Sequence, residues 1–264
     1  MKKPLILISN DDGIEAKGIR ELVKMIHDLG DVIVCAPDGP RSGQSRAFTM
    51  GDITFLPYPN PMPEEQPNVT YYVCSGTPVD CIKMAYGLVC PRRPDLVLGG
   101  INHGDNASTN AHYSGTIGVV FEGCMKGIPS IAFSLCDYDL DANFEPMRPI
   151  VRELCEHALK NGMPHYTCLN VNVPKVDSYA ELKGIRFCRM SYGRWRAEVE
   201  EKVGRKDANG NQIYRLEGYY KNDEPESEDT DAWAIRNGYI AVTPCTIDVT
   251  NHSYLDSLKQ QFKS

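Results

Sequence analysis

Leu5 to Ser9 is a short, uninterrupted apolar run that ends abruptly in the polar turn residues Asn10, Asp11, Asp12 and Gly13. A strand that is apolar at every position has both faces covered, which is the habit of parallel sheets. Ile19, Leu22, Val23, Ile26 and Leu29 then recur at helical spacing on one face, and Gly30 stands where a C-terminal cap belongs. Val32 to Ala36 is the next buried strand. Strand, helix and strand in that order form a right-handed βαβ unit, so the chain is committed to an α/β fold built on a mostly parallel sheet.

Downstream the pattern breaks. From Pro37 to Pro67, Gly, Pro and polar residues surround one β-like stretch, Asp52-Ile53-Thr54-Phe55-Leu56, which predicts a long loop carrying a hairpin or flap near residues 40–67. Regular signals resume with a strand over Thr70 to Cys74, a helix near Asp80 to Val89 and an apolar strand from Asp95 to Leu98 that runs into Gly99-Gly100. A helix near Gly115 to Met125, a strand over Ser130 to Ser134, a helix near Met147 to Leu159 and a strand over Thr167 to Val173 follow. Residues 1–174 therefore predict a sheet of at least five strands. Past Pro174 the sequence becomes charged, aromatic and weakly periodic, and the acidic residues Asp223 to Asp229 read as a solvated loop. Tyr239 to Val242 predicts another strand and Tyr254 to Phe262 a terminal helix. Residues 175–264 hold too little periodic apolar sequence for a core of their own, so they are expected to pack on the main domain or on a partner subunit.

A net charge of −7 repels a polyanion and argues against duplex nucleic acid as the main partner, while a small anion held by a metal remains compatible with it. The ten cysteines are scattered, with no C-x-x-C pair and no zinc-type spacing, and most sit among apolar residues as reduced core fillers. The apolar run after Met1-Lys2-Lys3-Pro4 is too short for a signal peptide or a membrane span. A cytoplasmic protein with no membrane partner is the expectation.

In open parallel sheets ligands bind beyond the carboxyl ends of the strands. Three loops at such ends are unusually polar: Ser9-Asn10-Asp11-Asp12-Gly13, Asp38 to Ser45, and Gly99 to Asn106. Adjacent carboxylates point in different directions, so Asp11 and Asp12 can give oxygens to one hard cation while one of them faces a water; oxygen ligands suit Mg²⁺, Mn²⁺ or Ca²⁺. The same residues are good turn formers and helix caps, and sequence alone leaves both readings open. The hydroxyl of Ser42 and the amide oxygen of Asn102 can complete a cation's shell. Ser114, Gly115 and Thr116 precede an apolar helix, where backbone N–H groups and hydroxyls can cradle a phosphate or simply cap the helix. Ser75 to Asp80 repeats the theme and is a candidate for the base or ribose side of a pocket. His103 and His112 lie near these loops. No P-loop, no G-x-S-x-G elbow and no H-E-x-x-H occurs, which removes several enzyme classes.

These residues resemble the SurE survival-protein family of 5'/3'-nucleotidases. The likeness runs through Ile8-Ser9-Asn10-Asp11-Asp12-Gly13 with Gly18, Ala36-Pro37-Asp38, Arg41-Ser42-Gly43 and Ser75-Gly76-Thr77-Pro78. It continues through Gly100-Ile101-Asn102-His103-Gly104-Asp105-Asn106, Tyr113-Ser114-Gly115-Thr116 and Gly127 to Ala132, and reaches Thr230-Asp231 and Val242-Thr243-Pro244 near the end. It implies a Rossmann-like core with helices on both faces of the sheet, and a C-terminal extension that clasps a second subunit in a homodimer or a dimer of dimers. It further implies one divalent metal ion per subunit on Asp11, Asp12, Ser42 and Asn102, with Asn10, Asn106, Ser114, Gly115 and Thr116 around the phosphate of a nucleoside monophosphate. Ala107 and Phe48 depart from the family pattern without touching a proposed ligand.

The expected reaction is metal-assisted hydrolysis of the phosphate ester, with Asp11 orienting or deprotonating the attacking water and Asn106 with the Ser114–Thr116 turn holding charge on the phosphoryl oxygens. A haloacid-dehalogenase-like phosphatase needs an Asp nucleophile with a second Asp two residues on, whereas here the pair is adjacent and followed by Gly13 and Ile14. A module that senses nucleoside monophosphates without turning them over is the rival from another class.

Overall fold

The computed structural model describes residues 2–262, and for residues 201–203 the backbone only. Strand β1 (Leu5–Ser9) leads through α1 (Lys17–Ile26) into β2 (Asp31–Pro37), as the periodicity predicts. The helix ends three residues early, its last turn tightening into a 3-10 helix at His27–Leu29, and Gly30 is extended where a left-handed cap was expected. Close approach explains this glycine: a Cβ there would stand 2.6 Å from the Pro4 carbonyl oxygen. Edge strand β3 (Phe55–Tyr58) pairs antiparallel with β4 (Val69–Cys74), and the expected flap is therefore the sheet's own edge hairpin. Pro57 is tolerated there because an edge strand has one row of N–H groups to spare.

The chain continues through α2 (Pro78–Leu88), β5 (Leu96–His103), α3 (Gly115–Met125), β6 (Ser130–Cys136), α4 (Arg148–Asn161) and β7 (Thr167–Pro174). Strands β4, β2, β1, β5, β6 and β7 lie side by side and all parallel. This is a Rossmann-like α/β sheet. Its order reverses between β1 and β5, because the chain winds outward from β1 to β4 and then returns through α2 to the far side of β1. That reversal opens a crevice at the carboxyl ends of the two strands.

The inner parallel strands are covered twice, which is why β1 and β2 read as continuous apolar runs. Ile6 and Ile8 face α1 and α4 with Ile19, Leu22 and Ile150, whereas Leu5 and Leu7 face α2 and α3 with Ile82, Val119 and Val120. Burying each such side chain contributes about 1.5–3 kcal/mol, so the two layers hold the crevice rigid.

Past residue 174 the chain returns to the sheet. Strand β8 (Ile185–Phe187) is followed by β9 (Gly193–Arg196), β10 (Val199–Lys206), β11 (Gln212–Leu216) and β12 (Tyr219–Asn222), then by α5 (Asp231–Arg236), β13 (Ile240–Thr246) and α6 (His252–Phe262). Strand β13 runs antiparallel to β7 and carries β8 on its other side, completing a nine-stranded sheet. Part of the expected extension is thus core. What projects is the pair of antiparallel ribbons β9–β12 and β10–β11, together with α6, in which no residue is buried. All ten cysteines are free. Among the described residues no helix is long and apolar enough to cross a membrane.

Candidate active site

The turn after β1 is folded by its own side chains. The Asn10 carboxamide donates to the Gly13 carbonyl oxygen at 3.0 Å and accepts from the Gly13 N–H at 3.2 Å. Asn10 is fully buried, and its amide braces the turn through its oxygen and one of its two hydrogens. Asp11, next along, is buried as well, and its Oδ1 accepts a hydrogen bond from the Thr116 hydroxyl at 2.5 Å. Burial pushes the Asp11 carboxyl up from 3.8 to about 6; Thr116 opposes the rise, the Asp12 charge adds to it, and the Gly115 N–H opposes it. A carboxyl in that range is suited to exchange protons near neutrality. Gly115 has no room for a side chain: a Cβ would lie 2.7 Å from Asp11 Cβ and 3.0 Å from its Oδ2. The N-terminus of α3 is thereby aimed at the Asp11 carboxylate.

Asp12 is raised too, chiefly by burial, with the neighbouring His103 pulling it back. Its Oδ2 is buried and has no hydrogen-bond partner in the protein. Such an oxygen is costly unless a ligand satisfies it. Asn102, at the end of β5, donates through Nδ2 to the carbonyls of His103 and Gly104 at 3.1 and 2.8 Å, which leaves its Oδ1 turned toward Thr116 at 3.4 Å. The crevice therefore gathers carboxylate and amide oxygens. Among the described residues no three His, Cys, Asp or Glu side chains converge, so a cation here would rely on the amide and a hydroxyl beside the two carboxylates. Ser42 is exposed on a loop pinned from both sides: Arg41 N–H donates to the Asp11 carbonyl at 2.7 Å, and Ser45 N–H to that of Tyr113 at 3.0 Å.

The Ser114 hydroxyl caps α3 by accepting from Ile117 N–H at 3.1 Å, which leaves its own hydrogen to donate. Asn106 gives one amide hydrogen to Ser134 Oγ at 2.8 Å, and its backbone is clamped by Asn172 and Asn170, each at 2.8 Å. Asn106 was named from the sequence, but its two clamps, Asn170 and Asn172, escaped that reading. Their signal was present, since Asn170 and Asn172 are alternate polar residues in an otherwise apolar strand. Asp231 was missed as well: fully buried, it accepts from the N–H groups of Ser108, Ser191 and Ala232 at 2.8, 2.9 and 2.7 Å and so ties α5 to the loop before α3. Ser75 to Asp80, expected on the base or ribose side, are spent otherwise. Thr77 and Asp80 form a capping box on α2, and Asp80 also holds Thr49 by its hydroxyl at 2.6 Å. His103 sits at the crevice with its Nδ1 2.9 Å from the Asp139 carbonyl oxygen, while His112 contributes a carbonyl to Ser45.

Residues 6–197 match the sequence model of the family described as survival protein SurE. A 5'-nucleotidase SurE of Phocaeicola vulgatus is 50% identical over 258 residues, spanning 98% of this chain and 96% of its own. One from Bacteroides fragilis is 48% identical, over 98% of this chain and 97% of its own. The crystal structure of a SurE protein from Aquifex aeolicus superposes with a TM-score of 0.79 at 33% identity, covering 98% and 99% of the two chains. With this agreement in sequence and in fold, the chain belongs to the SurE family.

Proposed function

We propose that the chain is a divalent-metal-dependent phosphatase that hydrolyses nucleoside 5'-monophosphates, and 3'-monophosphates as well, to nucleoside and phosphate. The observation that carries the reading is the Asp11–Asp12 pair at the sheet's reversal point, Asp11 buried and Asp12 half-buried with one buried carboxylate oxygen that has no partner within the protein. Family membership with relatives named 5'-nucleotidase supports the substrate class.

Asp11, Asp12, Asn102 and Ser42 would hold the cation, and the all-oxygen set fits Mg²⁺ or Mn²⁺. When bound, such an ion supplies positive charge against the phosphoryl oxygens and acidifies nearby water. Asp11 takes the proton of the attacking water on its carboxylate, which Thr116 and Gly115 hold in place. The second amide hydrogen of Asn106 and the hydroxyl of Ser114 bear on the phosphoryl oxygens, where negative charge builds as the ester bond breaks. Phosphate release from AMP and from 3'-AMP, with and without chelator, tests the proposal. Activity should vanish on chelation and return with Mg²⁺ or Mn²⁺; full activity in a preparation shown to be metal-free would refute it.

A further inference from the structure

Beside the carboxylate crevice lies a second hollow, of about 360 Å³. One wall is Thr109, His112 and Tyr113, from the turn that leads into α3; the other is Arg194, Trp195 and Glu198, from the base of the projecting ribbon. The volume falls in the ~300–1,000 Å³ range of small-molecule pockets. Tyr113 and Gly115 are two residues apart, so their Cα atoms are at most about 7.6 Å from each other. A group esterified to a phosphate held at Ser114–Thr116 thus has this hollow next to it.

Two other hollows compete less well. One of about 540 Å³ lies among Lys3, Asp31 and Arg92, at the amino ends of the strands, away from the chemistry. Another, of about 180 Å³, is walled by Asp137, Asp139 and Asp141, carboxylates that oppose an anionic substrate, and no aromatic residue lines it.

The walls of the 360 Å³ hollow have a distinct chemistry. The Trp195 indole N–H donates to Asn110 Oδ1 at 3.0 Å, and its ring meets Tyr220 edge-on at 6.4 Å between centroids. The ring is therefore held in place, although Trp195 keeps 37% of its surface exposed; Tyr113, on the facing wall, keeps 59%. Arg194 is anchored to Asp223 at 3.1 Å. Thr109, His112 and Glu198 add donors and acceptors around the rim. Flat aromatic surfaces with polar groups at the rim suit a planar heteroaromatic ring that stacks on a face and bonds through its edge.

We infer that this hollow receives the nucleobase of the substrate and that Trp195 is the surface on which the base stacks, an inference that rests on the phosphatase reading above. The ribbon that supplies Trp195 is then a specificity element, recognising the part of the substrate remote from phosphorus.

Two measurements test it. The first compares kcat/KM for ribose 5-phosphate with that for whichever of AMP, GMP, CMP and UMP the wild-type enzyme uses best. Trp195→Ala should lower the nucleotide-to-ribose-phosphate ratio roughly 5- to 150-fold, the range that loss of a base-stacking ring produces, and Trp195→Phe should lower it less. The second needs no turnover. In a Trp233→Phe background Trp195 is the sole tryptophan, and its fluorescence should respond saturably to at least one of the four nucleosides and not to ribose 5-phosphate. An unchanged ratio in Trp195→Ala, or no response to any nucleoside, overturns the inference. Absence of phosphate release from every monophosphate would instead defeat the phosphatase reading, and the fluorescence titration would still decide the hollow.

Discussion

Replacing Asp11 by Asn should make the metal-free protein more stable while destroying its activity. Unfolded Asp11 gives up its proton near the ordinary 3.8, and in the folded chain near 6. Between those values the native state holds a proton that the unfolded chain has lost, so stability falls as pH rises through the window and stays low above it. At about 1.36 kcal/mol per pH unit, the full penalty at pH 7 is about 3 kcal/mol. Asn escapes it. Its Oδ1 can still accept from Thr116, while the amide loses an acceptor for the Gly115 N–H, which offsets about 1 kcal/mol. A net gain of about 2 kcal/mol corresponds to a Tm increase of roughly 4–8 °C for a chain of this size. Thermal unfolding of both proteins in chelator, from pH 5 to pH 8, should show a gap that widens toward pH 7, and excess Mn²⁺ should reverse the order by stabilising only the wild type. A variant no more stable than wild type at pH 7.5, or a gap that ignores pH, would refute the account of a buried, raised carboxyl.

Gly115→Ala should fold, yet the added Cβ must push Asp11 aside, and a displacement approaching 1 Å can cost about a hundredfold in phosphate release; near wild-type turnover would show that Asp11 needs no such alignment. Asp231→Ala strands three backbone N–H groups that now meet a buried carboxylate, so denaturant unfolding should register a loss of about 3–5 kcal/mol with the catalytic carboxylates untouched. We propose that α6 joins subunits, because Tyr254, Leu255 and Phe262 are exposed on it. Deleting residues 248–264 should weaken self-association in sedimentation, and an intact protein that is already monomeric at micromolar concentration would remove the idea.

What the bare sequence conveys best here is anything buried on both sides. The run Leu5 to Ser9 and the helical spacing from Ile19 onward led directly to the β1–α1–β2 unit, because a strand covered on both faces is apolar at nearly every position. Strand β5 shows the opposite case. Gly99-Gly100 reads as a strand end, yet the strand persists to His103, since a Cβ at Gly99 would come within 2.7 Å of the Thr116 carbonyl oxygen where α3 crosses. The paired carboxylates announced themselves by lying together after a strand. Asp231 could not, because the loop it holds is 123 residues away and no local pattern marks that contact. The ribbons went unread for a simpler reason: their short, charged strands show no sustained apolar alternation.

The late position of β13 bears on how the protein is made. Until residues 240–246 exist, β7 is an open edge, the backbone N–H and carbonyl groups on the side away from β6 unpaired. A nascent or truncated chain that stops short of this strand therefore presents a long, apolar template for unwanted pairing. The segment just before β13 brings in Asp231, which adds a buried tether between α5 and Ser108 in the loop ahead of α3. Completion of the sheet and the last tether of the loop beside the crevice therefore both wait until Asp231 and the residues after it have been synthesised.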